Sequence, residues 1–214
     1  MGIPAMILGE SGSGKTFSLR NFNPDEVILI QAVSKPLPFR NSFKPWDSKA
    51  KTGSIVVTDQ SKNICKAIET FPSYGKKVIV VDDYQYTMAN EYMRRSSETG
   101  FTKFTEIARH AWNIAMAAQA APNDVRIYFL SHTNSDDQGK IKAKTIGKML
   151  DEKITLEGLF TIVMRAVREN GEYLFTTQNS GNDTVKTPMD LFQTETIDND
   201  LHAVDEAIKQ YYNI

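Results

Sequence analysis

The sequence predicts an α/β fold: a mainly parallel sheet flanked by helices, with an antiparallel hairpin at one edge. Three observations carry this. Short apolar runs alternate with stretches of helical spacing, the pattern of a parallel sheet covered on both faces. The first run leads directly into Gly9-Glu10-Ser11-Gly12-Ser13-Gly14-Lys15-Thr16, a glycine-rich turn between a strand and a helix. Asn170-Gly171 then separates two late strand-like runs, the dipeptide that favours a tight hairpin turn.

Taken in order, Pro4 to Leu8 reads as a strand, and Thr16 to Arg20 can start a helix. Val27 to Ile30 is a continuous apolar run and reads as a buried strand. Residues 34–54, with Pro36, Pro38, Pro45, several lysines and Trp46, read as a long loop. Ser54 to Thr58 suits another strand, and Ser61 opens a helix that ends near Thr70, ahead of Pro72 and Gly75. Val78 to Val81 is a wholly apolar strand ending at Asp82-Asp83. Residues 84–100, with Arg94 and Arg95, read as polar and irregular. Phe104, Ile107, Ala108, Ala111, Ile114, Ala115 and Ala118 recur at helical spacing, and Pro122-Asn123-Asp124 stops that helix. Val125 to Leu130 is the next strand, closing on Ser131-His132. Residues 135–153 are polar and lysine-rich. The hairpin runs use Phe160 to Val167 and Tyr173 to Thr177, residues 181–188 form a loop, and residues 200–212 suit a final amphipathic helix.

Composition narrows the class. The chain has 214 residues, 41% hydrophobic and 24% charged, which suits one α/β domain spanning 1–214 with an ordinary core. Cys65 is the only cysteine, so no internal disulfide forms and a reducing, cytoplasmic compartment is expected. Three histidines and one cysteine argue against a zinc site. The net charge of −1 gives no global attraction to nucleic acid, so any such contact needs a local patch. No apolar run has the length of a membrane span, and the first strand starts too early to leave room for a signal peptide.

Gly9 to Thr16 satisfies G-x-x-x-x-G-K-[ST] at every position. In such a P-loop the glycines let backbone N–H groups approach a polyphosphate. Lys15 would reach the β- and γ-phosphates, and the Thr16 hydroxyl would ligate Mg2+. The expected nucleotide-binding set is Gly9, Glu10, Ser11, Gly12, Ser13, Gly14, Lys15, Thr16 and Phe17. Four apolar residues ending in Asp82 fit the Walker B pattern, whose carboxylate holds the magnesium ion. Asp83 can orient or deprotonate the attacking water, and a second-layer hydrogen bond is the competing reading. Gln31 and Glu10 are alternative water-positioning groups. His132 is a candidate γ-phosphate sensor. Arg165 and Lys186 are candidate cations acting across a subunit boundary, although an ordinary surface salt bridge is the simpler account of each. Tyr84 and Tyr86 suit core packing better than base stacking.

The glycine-rich loop, together with Val78-Ile79-Val80-Val81-Asp82-Asp83-Tyr84-Gln85-Tyr86-Thr87-Met88-Ala89-Asn90-Glu91, resembles phage-encoded RecA-like P-loop ATPases, a group also described as AAA-type ATP-binding proteins. Lys144 to Lys148 and Gly181 to Lys186 are similar to stretches of the same group. The resemblance covers most of the chain, and the loop is its only specific motif. It implies a RecA-like P-loop NTPase core with ATP and Mg2+ as ligands. It also implies work on single-stranded DNA in phage recombination or replication, beside a single-strand-binding protein and in the host cytoplasm. Self-association as a homo-oligomer, in a ring or a filament, would follow. After the second strand the chain carries Gln31-Ala32-Val33 where such proteins tend to have an acidic catalytic residue, which opens the possibility of slow hydrolysis. Lys140, Lys142, Lys144 and Lys148 form one expected DNA patch, and the basic 35–51 loop with Phe43 and Trp46 is another. Two other classes fit the loop: a nucleotide-gated assembly factor with negligible hydrolysis, and a small-molecule phosphotransferase with Arg94 and Arg95 in a lid.

Overall fold

Along the first strand the side chains point alternately to the two sheet faces, and Ala5, Met6, Ile7 and Leu8 are all buried. A strand apolar on both faces requires a cover on each, and the chain supplies both. The computed structural model describes residues 1–40 and 42–214. Asn41, within the expected 34–54 loop, lies outside the described residues.

The main sheet has eight strands: β1 (Ile3–Leu8), β2 (Val27–Gln31), β3 (Ile55–Val57), β4 (Val78–Asp82), β5 (Arg126–Ser131), β8 (Ile162–Glu169), β9 (Glu172–Thr176) and β10 (Thr196–Asp198). Their spatial order is β10-β9-β8-β1-β5-β4-β2-β3. The neighbours from β8 through to β3 are parallel, and β9 and β10 add antiparallel pairings at one edge. The α/β class, the mainly parallel sheet and the late hairpin therefore agree with expectation, with β10 as an additional edge strand. Asn170 (φ 52°) and Gly171 (φ 88°) both have positive φ, as a type I′ turn requires. A separate two-stranded ribbon, β6 (Thr133–Ser135) and β7 (Ile141–Ala143), rises from the end of β5. It occupies part of the lysine-rich stretch, where polarity masked it.

Met6, Leu8, Ile28, Ile30, Ile79, Val81, Ile127 and Phe129 face one layer, which includes helices α1 (Ser61–Thr70), α2 (Gln85–Arg94) and α3 (Thr102–Ala120). Ala5, Ile7, Leu29, Val80, Tyr128 and Leu130 face the other, with Leu19, Phe22 and the inner side of α4 (Leu201–Tyr212). Each fully buried Leu or Ile contributes about 1.5–3 kcal/mol. Asp200 caps α4, its carboxylate accepting from the backbone N–H groups of His202 (3.0 Å) and Ala203 (3.3 Å). Among the described residues, no helix is long and apolar enough to cross a membrane.

Two local expectations need correction. Residues 85–94 are helical, not irregular. Met88 and, just before the helix, Tyr84 are buried one turn apart, Tyr84 donates to Ala111 O (2.7 Å), and the buried Gln85 and Thr87 break the apolar period. The segment after the glycine-rich loop is a six-residue 3-10 turn, Thr16–Asn21, not an extended helix. It stops because Phe22 turns extended (ψ 140°) and buries its ring, and Pro24 follows closely. A macrodipole from so short a segment is weak, so backbone N–H groups and Lys15 carry any anion attraction here.

α4 is anchored by a buried polar network. Asp205 accepts from Arg126 Nε (3.0 Å), Arg126 Nη2 (2.7 Å) and the Tyr128 hydroxyl (2.6 Å). Asp205→Ala leaves the buried Arg126 guanidinium without its carboxylate and is expected to cost about 3–5 kcal/mol, read as a lower urea midpoint. A midpoint equal to the wild type's would contradict this anchoring role.

Candidate functional site

The parallel strands end at one edge of the sheet, and polar residues follow there in register. Gln31 is paired with Asp82 across β2 and β4, and Leu8 with Ser131 across β1 and β5. β5 lies between β1 and β4, so Ser131 and His132 emerge between the glycine-rich loop and the two aspartates.

The loop closes around its own lysine. Lys15 Nζ donates to Gly9 O (2.7 Å) and Glu10 O (2.8 Å). Ser13 N–H donates to Glu10 O (3.2 Å), and Gly9 N–H to Ser131 O (3.1 Å). Gly9 and Gly14 are required by close approach: a Cβ on Gly9 would lie 2.8 Å from Ala166 O, and one on Gly14 2.8 Å from the Tyr173 ring. Gly14 also has φ +97°, a region L side chains rarely adopt.

Thr16 joins the loop to the central strand. Its hydroxyl lies 3.1 Å from each carboxylate oxygen of Asp82. Asp82 is 1% exposed, and burial, followed by repulsion from Asp83, pushes its pKa up to about 6. Burial likewise lowers Lys15 to about 8, against the pull of Asp83 and Asp82. A hydroxyl facing a carboxylate is a donor set that suits a hard cation such as Mg2+ when phosphate oxygens complete the shell. Among the described residues, no group of three or more His, Cys, Asp and Glu forms a metal site by itself.

Asp83 has left-handed backbone geometry (φ 58°), and its side chain is 3% exposed. Lys35 Nζ pairs with Asp83 Oδ2, and His132 Nε2 lies 3.5 Å from Oδ1. Burial opposes ionisation of Asp83, but the bonds from His132 and Lys35 outweigh it and hold the carboxyl below its ordinary range. Gln31 Nε2 donates to Lys35 O (3.0 Å). A cleft of about 390 Å³ runs across this arrangement. Lys15, Thr16, Gln31, Lys35, Asp83 and His132 line its polar part, and Phe17, Pro36, Pro38 and Tyr173 also line it. The Phe17 and Tyr173 ring centroids are 5.5 Å apart.

The expected residues separate into two groups. Lys15, Thr16, Phe17, Gln31, Asp82, Asp83 and His132 come together with the loop. Glu10 instead lines a neighbouring cleft with Arg165 and Arg168, on the flank of the loop away from Asp83. Arg165 lies 3.7 Å from Asp183 in its own chain. The Lys186 backbone pairs with Val163, and its side chain is exposed. Of the four lysines expected to touch DNA, Lys142 pairs with Asp151 (2.8 Å) and Lys148 with Glu152 (3.7 Å). Lys140 and Lys144 are exposed and form no ion pair among the described residues. The sequence places Lys35 only within the basic 35–51 loop and Tyr173 only in the hairpin, yet both line this cleft. Their separation in sequence from the loop leaves no local signal, apart from Pro36 holding Lys35 extended.

No family model matches the sequence, and no curated protein matches it.

The displaced pKa values have opposite signs of pH dependence. Between about pH 4 and 6 the folded state holds more protons on Asp82 than the unfolded chain, so this group lowers stability as pH rises through that window. Between about pH 8 and 10.5 the unfolded chain holds more protons on Lys15, so stability rises there. In the presence of EDTA, Asp82→Asn is expected to stabilise the protein at pH 7 by about 1–3 kcal/mol and to flatten the pH 4–6 slope. Urea midpoints measured at stepped pH check this; a destabilised variant at pH 7 would contradict it.

Proposed function

We propose that the protein binds Mg-ATP along the glycine-rich loop and hydrolyses it, in a RecA-like P-loop NTPase core. The carrying observation is the Thr16–Asp82 contact at 3.1 Å beside the buried Lys15, beneath a cleft lined by Lys15, Thr16, Asp83 and Gln31. Each part has a chemical role. On binding, Lys15 exchanges its two carbonyl partners for phosphate oxygens, a stronger charge-assisted interaction. Loop N–H groups receive the remaining phosphate charge. Thr16 and Asp82 would hold a magnesium ion, which neutralises charge on the phosphates. Asp83 and Gln31 orient a water whose oxygen bonds to the γ-phosphorus as the bond to the β–γ bridging oxygen breaks; its proton passes by way of Asp83 to the released phosphate, and ADP and inorganic phosphate leave. Phe17 and Tyr173 offer apolar ring surface for the base.

A role on single-stranded DNA is the second part of this reading. It is supported by the ribbon β6–β7, which starts immediately after His132, and by the Lys144 N–H that donates to His132 O (2.8 Å). The exposed Lys140 and Lys144 would contact phosphates there. A single-strand-binding protein as a partner, a ring or filament of copies, and a phage origin rest on the family resemblance alone.

ATP turnover measured with and without single-stranded DNA tests both parts. The expected result is Mg-dependent hydrolysis that single strands accelerate, with the acceleration fading as salt rises. Lys15→Ala should reduce turnover at least tenfold, about 1.4 kcal/mol or more of lost stabilisation. Lys140→Ala/Lys144→Ala should retain basal turnover and lose much of the acceleration. An equal rate with and without DNA would remove the DNA role, and absence of any turnover would leave a nucleotide-gated binder.

A further inference from the structure

Lys35 is a cation in the cleft that the glycine-rich loop motif does not account for. Its backbone is held in place on both sides. Gln31 Nε2 donates to Lys35 O (3.0 Å), and Leu37 and Phe39 pack against the core layer that contains Phe22 and Leu29. Pro36 and Pro38 fix their own φ angles and line the same cleft. The part that can move is therefore the four-carbon side chain, which is 46% exposed although it ends on a carboxylate only 3% exposed. The ammonium is also close enough to influence both Lys15 and Asp82.

Charge accounting gives this position meaning. Two ammonium groups, on Lys15 and Lys35, face two carboxylates, on Asp82 and Asp83, so the cleft is balanced without a ligand. A terminal phosphate arriving beside Asp83 adds negative charge to a site where that carboxylate is already buried. Repulsion at that end is costly unless a cation moves with it. Lys15 already serves the loop; Lys35 can reach out from the Asp83 side.

We infer that Lys35 is the residue that distinguishes triphosphate from diphosphate: its ammonium exchanges Asp83 for the terminal phosphate and so releases Asp83 toward water. This rests on the nucleotide reading of the cleft. A diphosphate ends one phosphate short and leaves Lys35 on Asp83. The strap of residues 32–39 need not move.

The experiment is calorimetric titration with Mg2+ present, using ADP and a nonhydrolysable ATP analogue as probes. The wild type should prefer the triphosphate. Lys35→Met should reduce that preference about tenfold, an ion pair's worth, and Lys35→Arg should retain most of it. The Lys35→Met/Asp83→Asn double variant removes the orphaned buried carboxylate, restores charge balance and should still lack the preference. Asp83→Asn alone should increase the preference, because Lys35 then has no carboxylate to leave. A wild-type triphosphate-to-diphosphate ratio in Lys35→Met, with both ligands bound, overturns the inference and leaves the nucleotide reading standing. So does Asp83→Asn losing the preference along with Lys35→Met, since the pair would then only support structure. A wild-type protein that binds neither probe overturns the nucleotide reading and this inference together.

Discussion

The site depends on keeping four charged groups at the carboxyl edge of a sheet that excludes water on both faces. Asp82 ends β4 and Asp83 follows it, Lys15 curls back into its own loop, and Lys35 reaches in from the segment after β2. Burial opposes the charged forms of Asp82 and Lys15, whose pKa values it moves up and down respectively, whereas the bonds from His132 and Lys35 hold Asp83 ionised. The Thr16–Asp82 contact is what couples the loop to the sheet. The left-handed Asp83 adds a local backbone cost, which the packed strand and its ion pair sustain.

The same edge offers a physical route outward. β5 ends at Ser131, His132 faces Asp83, and the next residues form the ribbon β6–β7. Gln85 ties this junction to the start of α2, accepting from the His132 N–H (3.1 Å) and the Ser131 hydroxyl (3.4 Å). A change at Asp83 therefore has short covalent and hydrogen-bonded connections to the surface that carries Lys140 and Lys144. On the other flank, Arg165 and Arg168 face a separate cleft beside the loop.

Those parts of the fold and site governed by local rules were legible in the sequence. The buried strands appear as unbroken apolar runs because both faces are covered, as at Val78 to Val81. The hairpin is legible because Asn170 and Gly171 tolerate positive φ. The meeting of Thr16 with Asp82 is legible because the glycine-rich loop follows β1 and Asp82 ends β4, two parallel strands whose carboxyl ends lie on one edge. α2 was hidden because its buried side carries Gln85 and Thr87 beside Met88, and the turn after Thr16 is short because of the Phe22 and Pro24 closely beyond it, which a motif does not weigh. The position of Lys35 and Tyr173 in the cleft follows only from tertiary packing, which brings the segment after β2 and strand β9 to the loop. Lys142 reads as part of a basic patch in one dimension, yet folding pairs it with Asp151.

In the proposed function a magnesium-bound triphosphate settles against Lys15 and Asp82. Calorimetry of ATP binding at pH 8 in two buffers of different ionisation enthalpy tests it most directly. At that pH the Lys15 ammonium is only partly protonated, and a phosphate beside it raises its proton affinity. The expected result is ATP binding that requires magnesium and is accompanied by net proton uptake, which Lys15→Met abolishes. Heat that is independent of magnesium, or no binding by well-folded protein, would contradict it.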